Sequence, residues 1–332
     1  MGIKSLTQTV KKECPESITH ENLYKLAGKK VAVDASLVIY QNLLNIGNRP
    51  LFKNSNGKIT NHITGLFYKL MNYISLDIEL IFVFDGAPPE NKKECLKVRR
   101  EKAEKAKQEL LDKPSEENKI KLEKQSCRLT LEMVNDVKKL LSLMGISYIH
   151  PDAEAEGYAS ELCRIGYVDY VLTEDMDSLV YACPKLIRKC VDRSIKRNDI
   201  ISIFDYSSMI KNLDLTEDRF IDFCILCGCD YAPEIPKIGN ITALKLIKKY
   251  NTIEEIISNT NYSFPENYIQ LFNEAKQNFL LFKDKINIQE LNVINPNKNI
   301  DELKLYLINE IEMNESRVNN ALKKFNHKFK PN

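Results

Sequence analysis

The sequence predicts an α/β protein built on a doubly wound, mostly parallel central sheet, and three observations support this fold class. Four short apolar runs alternate with longer stretches of helical periodicity. Runs that are apolar throughout are typical of parallel strands buried on both faces. The chain of 332 residues, with a hydrophobic fraction of 43%, is also long enough to bury a large core.

The predicted strands and helices follow one another through the first half of the chain. The predicted strands are residues 30–33, 80–84, 146–149 and 170–172. The helices predicted between them include residues 62–76 and 129–144. After Asp214 the apolar residues recur with helical spacing to about Lys324, which predicts a helical C-terminal part.

Residues 92–128 depart from this alternation. The segment contains 13 Lys or Arg residues against 8 Asp or Glu, and its sparse apolar stripe is interrupted at residues 112–115. This pattern predicts two exposed helices joined by a turn. The pattern alone fits a solvated hairpin without a function as well as a functional basic segment.

Composition favours a soluble protein of a reducing compartment. No apolar run approaches the ~20 residues of a membrane span, and Lys4, Lys11 and Lys12 interrupt any secretory signal. Nine cysteines, an odd number, are typical of reduced thiols. The net charge of +2 identifies no partner. We therefore expect an intracellular protein that does not enter a membrane.

Acidic residues follow all four predicted strands. Six of them lie close behind a strand end: Asp34, Asp85, Glu154, Glu156, Asp175 and Asp177. Because the carboxyl ends of the strands meet at one edge of an open α/β sheet, we expect these side chains around one cleft.

So many carboxylates in one place imply bound cations, because like charges at short distance repel one another. Ligand sets made of oxygen favour Mg²⁺ or Mn²⁺, and six acids suit two ions ~3.5–4 Å apart that promote phosphodiester hydrolysis. A single acid after a strand is better interpreted as a helix N-cap or turn residue. Four such strands together favour metal-dependent phosphoryl or phosphodiester chemistry.

The same acids belong to motifs that occur in order along the chain. These motifs include Val33-Asp34-Ala35-Ser36, Val83-Phe84-Asp85-Gly86, Glu154-Ala155-Glu156, Thr173-Glu174-Asp175-Met176-Asp177 and Asp230-Tyr231. At these residues the sequence resembles the flap endonuclease family of structure-specific 5′ nucleases. The resemblance implies a PIN-like nuclease core in residues 1–91 and 129–213, and a helical arch at 92–128. It also implies a helical DNA-binding region at 214–332 with a helix–hairpin–helix element near 235–250.

Position by position, the resemblance implies a set of seven metal ligands. They are Asp34, Asp85, Glu154, Glu156, Asp175, Asp177 and Asp230. It further implies two Mg²⁺ ions, for which Mn²⁺ substitutes, and catalytic roles for Lys92 and Arg99 at the foot of the arch. Seven negative charges exceed the charge of two divalent ions, so basic residues that steady the scissile phosphate are chemically reasonable. The pattern of the residues alone would make Asp230 a turn residue.

The resemblance also implies contacts with DNA. The residues concerned are Tyr40, Gly2, Gly239, Lys245, Lys248 and Lys249. Tyr40 matches an aromatic residue that stacks on a base, and Gly2 matches a residue that packs near the active site. Gly239 lies in a hairpin, residues 235–243, where backbone N–H groups and a K⁺ ion hold a duplex phosphate in the family. In this chain Lys237 and Asn240 stand where the family usually has glycine and proline.

The resemblance implies a 5′-flap endonuclease with 5′→3′ exonuclease activity that acts in Okazaki-fragment maturation and repair. The expected partner is branched DNA with a 5′ flap, bound by a monomer. Residues 54–58 lack the acids that many relatives carry beside a 3′-flap pocket, and no Gln-led sliding-clamp motif follows Gln289. A clamp interaction is therefore not expected. The family's usual compartment is the nucleus, while a viral origin would also fit the cytoplasm.

Three alternatives remain open from the sequence. The first is a related 5′ exonuclease or junction resolvase. The length and the basic residues of segment 92–128 resemble those of the flap enzymes and distinguish them from these relatives. The second is a catalytically silent DNA-binding scaffold, which would lack at least one ligand. The third is a two-metal phosphatase acting on small molecules, which would need neither the arch nor the hairpin.

Overall fold

The structure, a computed structural model, describes residues 2–44, 51–112 and 115–328, without the side chains of residues 116, 117 and 324–328. The described residues form two compact units. The first unit comprises residues 1–25, 86–95 and 151–291. The second unit comprises residues 26–85, 96–150 and 292–332.

Strands and helices alternate along the described chain. The strands are β1 Ile18–Asn22, β2 Lys30–Asp34, β3 Glu79–Val83, β4 Ser147–Ile149, β5 Tyr170–Leu172, β6 Lys185–Lys189, β7 Ile200–Asp205 and β8 Val293–Ile294. The helices are α1 Leu6–Glu13, α2 Ala35–Leu44, α3 Asn61–Ser75, α4 Lys93–Glu109, α5 Glu116–Ser126, α6 Leu131–Met144, α7 Ala155–Arg164, α8 Asp177–Val180, α9 Tyr206–Leu213, α10 Glu217–Cys227, α11 Asn240–Lys249, α12 Ile253–Ser258, α13 Tyr268–Phe279, α14 Ile300–Leu305 and α15 Glu315–Lys328.

In the second unit the strands lie in the order β2-β3-β4-β8. The strands β2, β3 and β4 run parallel, and β8 runs antiparallel to β4. The three parallel strands are the predicted apolar runs at 30–33, 80–84 and 146–149, displaced by at most one residue at either end. Every residue of β3 after the first is buried, as expected for a strand covered on both faces.

The predicted helix at 129–144 is confirmed as α6, which begins two residues later. Thr130 is the reason for the later start, because its hydroxyl accepts the N–H of Met133 and so caps the helix. Gly145 ends the helix with a φ of 71°, the left-handed conformation that glycine adopts without strain. The predicted helix at 62–76 is α3, one residue earlier at each end.

In the first unit the strands lie in the order β1-β7-β6-β5. The strands β5 and β6 are parallel, while β6–β7 and β7–β1 are antiparallel. Of these four strands only β5 was predicted. The strand β1 has the sequence Ile-Thr-His-Glu-Asn and a partly exposed surface, so it offers no apolar run. The α/β class is confirmed, and each antiparallel pair contains a strand that the sequence analysis missed.

The charged segment at 92–128 forms two helices, as predicted. They are α4 and α5, and the break between them contains residues 113–114, which lie outside the described residues. In α4 only Ala103 and Ala106 are buried. The helices are therefore exposed along most of their described surface.

Two expectations from composition can be compared with the structure. Among the described residues, no helix combines the length and the apolar character that crossing a bilayer requires. All nine cysteines lie in the described ranges, and none of them forms a disulfide.

Candidate active site

Five of the seven predicted ligands lie in the first unit, and their positions follow from where helices and strands end. Glu154 is the N-cap residue of α7, and Glu156 lies in the first turn of that helix. Asp175 follows β5, and Asp177 is the first residue of α8. Asp230 follows α10 after a short turn. Four of these acids therefore lie at or near a helix N-terminus, where backbone N–H groups favour negative charge.

Three carboxylates form the centre of the site. Oxygen atoms of Glu156, Asp175 and Asp177 all lie within 4.8 Å of one another. Asp175 and Asp177 are buried, with 6% and 2% of their surface exposed. Burial, followed by repulsion from Asp175, raises the pKa of Asp177 well above its usual value. A group of carboxylates that are buried or half-buried and repel one another fits a divalent cation that prefers oxygen ligands.

Backbone donors hold these carboxylates in place. The N–H of Ile3 donates to Asp177 Oδ1 at 2.7 Å, and the N–H of Asp177 donates to Asp175 Oδ1 at 3.2 Å. The N–H of Asp175 in turn donates to the hydroxyl of Thr173 at 3.1 Å. The N-terminal segment is thereby attached to the acidic group.

Gly2 lies directly against the same two carboxylates. A Cβ atom at this position would stand 1.8 Å from Asp175 Oδ1 and 2.6 Å from Asp177 Oδ1. The φ of Gly2 is +82°, a conformation that residues with a side chain rarely adopt. Gly2 is thus required both for its backbone conformation and for the space that its missing side chain leaves.

Lys92 joins the two remaining acids of the first unit. Its Nζ forms an ion pair with Glu154 Oε1 and lies 3.7 Å from Asp230 Oδ2. Burial lowers the pKa of Lys92, but Glu154 and Glu156 outweigh this effect and raise it above its usual value. Lys92 therefore stays charged at every physiological pH. Asp230, which the pattern alone made a turn residue, also accepts from the Cys95 thiol at 3.4 Å.

Two tyrosines that the sequence analysis did not assign a role stand behind Glu154. The hydroxyl of Tyr231 donates to Glu154 Oε2 at 2.5 Å, and the Tyr181 hydroxyl lies 2.8 Å from that of Tyr231. The ammonium group of Lys92 also lies 5.5 Å from the centre of the Tyr231 ring. Signals for both tyrosines exist in the sequence, since Tyr231 follows Asp230 and Tyr181 lies four residues after Asp177.

The second unit contains the other predicted site residues of the core. Asp34 ends β2, and Asp85 comes two residues after the end of β3, which is parallel to β2 with Asp34 opposite Val83. Asp34 is buried and accepts the N–H of Leu37. This contact is that of a helix N-cap residue, which is the other interpretation of an acid that follows a strand. Asp85 is exposed. Within this unit, the two acids follow neighbouring strands at the same edge, as predicted.

Tyr40 and Arg99 also belong to the second unit. Tyr40 lies on α2 and is half-buried, and this burial raises the pKa of its hydroxyl. Arg99 lies on α4 and is half-buried.

The predicted hairpin at 235–243 joins α10 to α11 in the first unit. Lys237, which stands where the family usually has glycine, adopts a φ of 70°, a left-handed conformation typical of glycine. Gly239 is the N-cap residue of α11, and a Cβ built on it would meet nothing within 4 Å. The side chains of Lys245, Lys248 and Lys249 are exposed on α11. The turn and the basic helix are therefore present as predicted.

Arg219 fixes α11 against α10. Its guanidinium donates to the carbonyl oxygens of Ile247, at 2.7 Å, and of Tyr250 and Asn251 at the end of α11. It also lies 3.1 Å from the carboxylate of Asp222 on its own helix. A cation at these carbonyls also complements the negative end of the helix dipole.

Comparison with known proteins identifies the class to which this fold and site belong. The XPG N-terminal domain matches residues 1–106, and the XPG I-region matches residues 145–230. Flap endonuclease 1 of Glycine max is 36% identical over 335 residues, covering 98% of this chain and 86% of the relative. Flap endonuclease 1 of Plasmodium chabaudi chabaudi is 38% identical over 341 residues, covering 97% of this chain and 71% of the relative.

Solved structures agree with these relatives. The flap endonuclease-1 of Methanococcus jannaschii is 29% identical, with a TM-score of 0.69 and coverage of 92% of this chain and 94% of that one. The catalytic core of Rad2 in complex with DNA substrate has a TM-score of 0.67 at 22% identity, over 97% and 98% of the two chains, and shares the fold. The chain belongs to the flap endonuclease family of XPG nucleases. It is accordingly a hydrolase, with a PIN-like nuclease fold.

Proposed function

We propose that this protein is a divalent-metal-dependent 5′-flap endonuclease with 5′→3′ exonuclease activity. The observation that supports this most directly is the group of Glu156, Asp175 and Asp177, of which the two aspartates are buried, in a chain of the flap endonuclease family. Lys92 interacts electrostatically with Glu156. Its substrate would be branched DNA with a 5′ flap, of the kind that arises in Okazaki-fragment maturation and excision repair. On the family's precedent we also propose that it acts as a monomer in the nucleus.

The chemistry of the donor set supports divalent ions. Every side chain in the acidic group offers oxygen, which suits Mg²⁺ and its substitute Mn²⁺ better than Zn²⁺. Glu154 and Asp230 lie within reach of the same lysine and are proposed to complete the ligand set of the first unit. Asp34 and Asp85 remain proposed ligands on the basis of their positions after β2 and β3. Two bound ions would polarise the scissile phosphate and lower the pKa of a water molecule.

The basic residues would act on the phosphate itself. In hydrolysis, water attacks phosphorus, the P–O3′ bond breaks, and the products carry a 5′-phosphate and a 3′-hydroxyl. Lys92 is charged throughout the physiological range, so it can stabilise the negative charge that develops on the phosphate oxygens. Arg99 is proposed to do the same from α4, where the bidentate guanidinium suits phosphate.

The remaining predicted residues are proposed to hold the DNA. Gly239 and the hairpin before α11 would bind a duplex phosphate through backbone N–H groups and a K⁺ ion. The three lysines of α11 would supply positive charge beside this phosphate; they are Lys245, Lys248 and Lys249. Tyr40 would stack on a base near the cut. The basic segment 92–128 would attract the single-stranded flap.

Cleavage of a labelled 5′-flap DNA by untagged protein in Mg²⁺ tests the proposal. A main product at the base of the flap is expected, and it should disappear in EDTA and in Asp177→Ala. Glu254→Ala, which removes an exposed acid of the same unit, serves as the matched control and should cleave normally. Nicked DNA and a four-way junction run in parallel distinguish a flap enzyme from an exonuclease or resolvase. Binding without cleavage in both Mg²⁺ and Mn²⁺ would refute the proposed activity.

A further inference from the structure

A chain of two hydroxyl groups ends on one oxygen of Glu154. Tyr231 Oη lies 2.5 Å from Glu154 Oε2, and Tyr181 Oη lies 2.8 Å from Tyr231 Oη. Both tyrosines are buried, with 2% and 7% of their surface exposed. Buried hydroxyl groups are expected to satisfy their hydrogen bonds within the protein, and these two satisfy theirs through each other and through Glu154.

The direction of this chain follows from the chemistry of its members. A carboxylate has no proton to donate, so the bond to Glu154 uses the single proton of Tyr231. Tyr231 can then only accept from Tyr181, which makes Tyr181 the donor at the far end. A phenol with its ordinary pKa of about 10 is protonated at neutral pH, so both hydroxyl groups have a proton to donate.

The rings of the two tyrosines are fixed independently of their hydroxyl groups. Phe279 packs edge-on against both, with ring centroids 5.3 Å from Tyr181 and 5.0 Å from Tyr231. Lys92 lies over the Tyr231 ring. Loss of a hydroxyl group would therefore leave the aromatic packing in place and remove only the hydrogen bond.

Glu154 depends on this hydrogen bond because its helix gives it no donor. As the N-cap residue of α7, it makes no capping bond to its own helix. One of its oxygens contacts Lys92 and the other contacts Tyr231, so these two side chains set the rotation of the carboxylate. Asp177, by contrast, is held by the backbone N–H of Ile3.

We propose that Tyr231, oriented by Tyr181, is a positioning residue that holds the Glu154 carboxylate in the orientation required for divalent-metal binding. Hydrogen bonds from residues behind a metal ligand orient the ligand, and their removal weakens metal affinity or activity by ~10–100-fold. This inference rests on the proposed metal-dependent function. It adds a pair of residues that would act through Glu154 and not directly on the metal ion or the DNA.

The test measures Mn²⁺ binding directly, by the electron paramagnetic resonance signal of the free ion, in wild type, Tyr231→Phe, Tyr181→Phe and the double variant. Tyr231→Phe should weaken Mn²⁺ binding by ~10-fold or more, and Tyr181→Phe should weaken it less, because Tyr231 keeps its bond to Glu154. The double variant should bind no more weakly than Tyr231→Phe, since Tyr181 acts only through Tyr231. High Mn²⁺ should restore the cleavage rate of Tyr231→Phe, with KM for the flap substrate unchanged.

Tyr268→Phe is the matched control. It also removes a buried tyrosine hydroxyl in the first unit, and that hydroxyl has no hydrogen-bond partner among the described residues. Its Mn²⁺ affinity should equal that of the wild type. Equal Mn²⁺ affinity for Tyr231→Phe and Tyr268→Phe would overturn the proposal, as would additive losses in the double variant. If the wild type binds Mn²⁺ but does not cleave flaps, the proposed function fails while the affinity ratios still decide the role of Tyr231.

Discussion

Replacing Gly2 by alanine tests whether the N-terminal segment shapes the acidic group. The added Cβ would lie 1.8 Å from Asp175 Oδ1, whereas real Cβ atoms essentially never approach another heavy atom within 3.0 Å. Relief of this contact requires a displacement of at least about 1.2 Å, the difference between these two distances. The carboxylate or the N-terminal backbone must move by that amount. A movement of the N-terminal backbone would also weaken the hydrogen bond from the Ile3 N–H to Asp177.

The expected loss of activity follows from this displacement. A misplacement of ~1 Å in an active site can cost ~100-fold in rate. Forcing a non-glycine residue into a left-handed conformation adds a further ~1–2 kcal/mol of strain to the folded state. Gly2→Ala should therefore cleave flap DNA ~100-fold more slowly than the wild type under single-turnover conditions, with weaker Mn²⁺ binding.

Gly166→Ala separates the two effects. Gly166 lies in the first unit with a φ of +76°, but a Cβ added there would meet nothing within 4 Å. Gly166→Ala should therefore lose thermal stability through backbone strain and keep the wild-type cleavage rate. The measurements are single-turnover cleavage and the unfolding temperature of both variants. If Gly2→Ala cleaves as fast as Gly166→Ala, the contact with Asp175 has no catalytic consequence and the reasoning is refuted.

Three further predictions concern charge and packing. Because burial and Asp175 raise the pKa of Asp177, the metal-free fold favours the protonated acid. Protonation of Asp177 therefore stabilises the folded state. The stabilisation is complete below the usual carboxyl pKa of 3.8 and declines as the pH rises toward the raised pKa of the folded state. Asp177→Asn should thus raise the melting temperature in EDTA at pH 7 by ~2 °C or more while abolishing cleavage. Lys92→Met should slow cleavage ~100-fold while flap binding in Ca²⁺ changes little, whereas Lys93→Met, at an exposed neighbour, should cleave normally. Arg219→Ala should lower the free energy of unfolding by ~3 kcal/mol and weaken duplex binding, because the C-terminal carbonyls of α11 lose their donor.

Each of these predictions has a clear opposite result. Identical melting curves for Asp177→Asn and wild type in EDTA at pH 7 would show that the buried carboxyl carries no electrostatic cost. A Lys92→Met variant that loses flap affinity in proportion to rate would make the lysine a binding residue only. Unchanged urea unfolding of Arg219→Ala would show that water replaces the guanidinium without loss.

The pattern of apolar residues was sufficient to predict the strands that are buried on both faces. Apolar residues make up most of the strands β2, β3, β4 and β5, as burial on both faces requires. The strands β1 and β6 were missed because polar residues interrupt them. The strand β7 was missed because the buried Ser202 divides its apolar residues, and β8 because two residues carry no pattern. An antiparallel or edge strand with one solvated face has no uniform apolar run to detect.

The acidic group shows the same division between local and tertiary information. Glu156, Asp175 and Asp177 were found because each lies just behind a predicted strand, and the structure brings their oxygens within 4.8 Å of one another. Asp230 follows a helix, so only the family resemblance singled it out. Its proximity to Lys92 depends on how separate segments pack in the first unit.

The sequence alone therefore determined the α/β class, the order of the acidic residues and membership of a nuclease family. Only the tertiary structure revealed that Gly2 lies against Asp175, that Lys92 pairs with Glu154 and that two tyrosines stand behind that carboxylate. The physical reason is sequence separation. Strand burial and helix capping depend on residues a few positions apart, whereas Ile3 and Asp177, separated by 174 positions, meet only when the whole unit is folded.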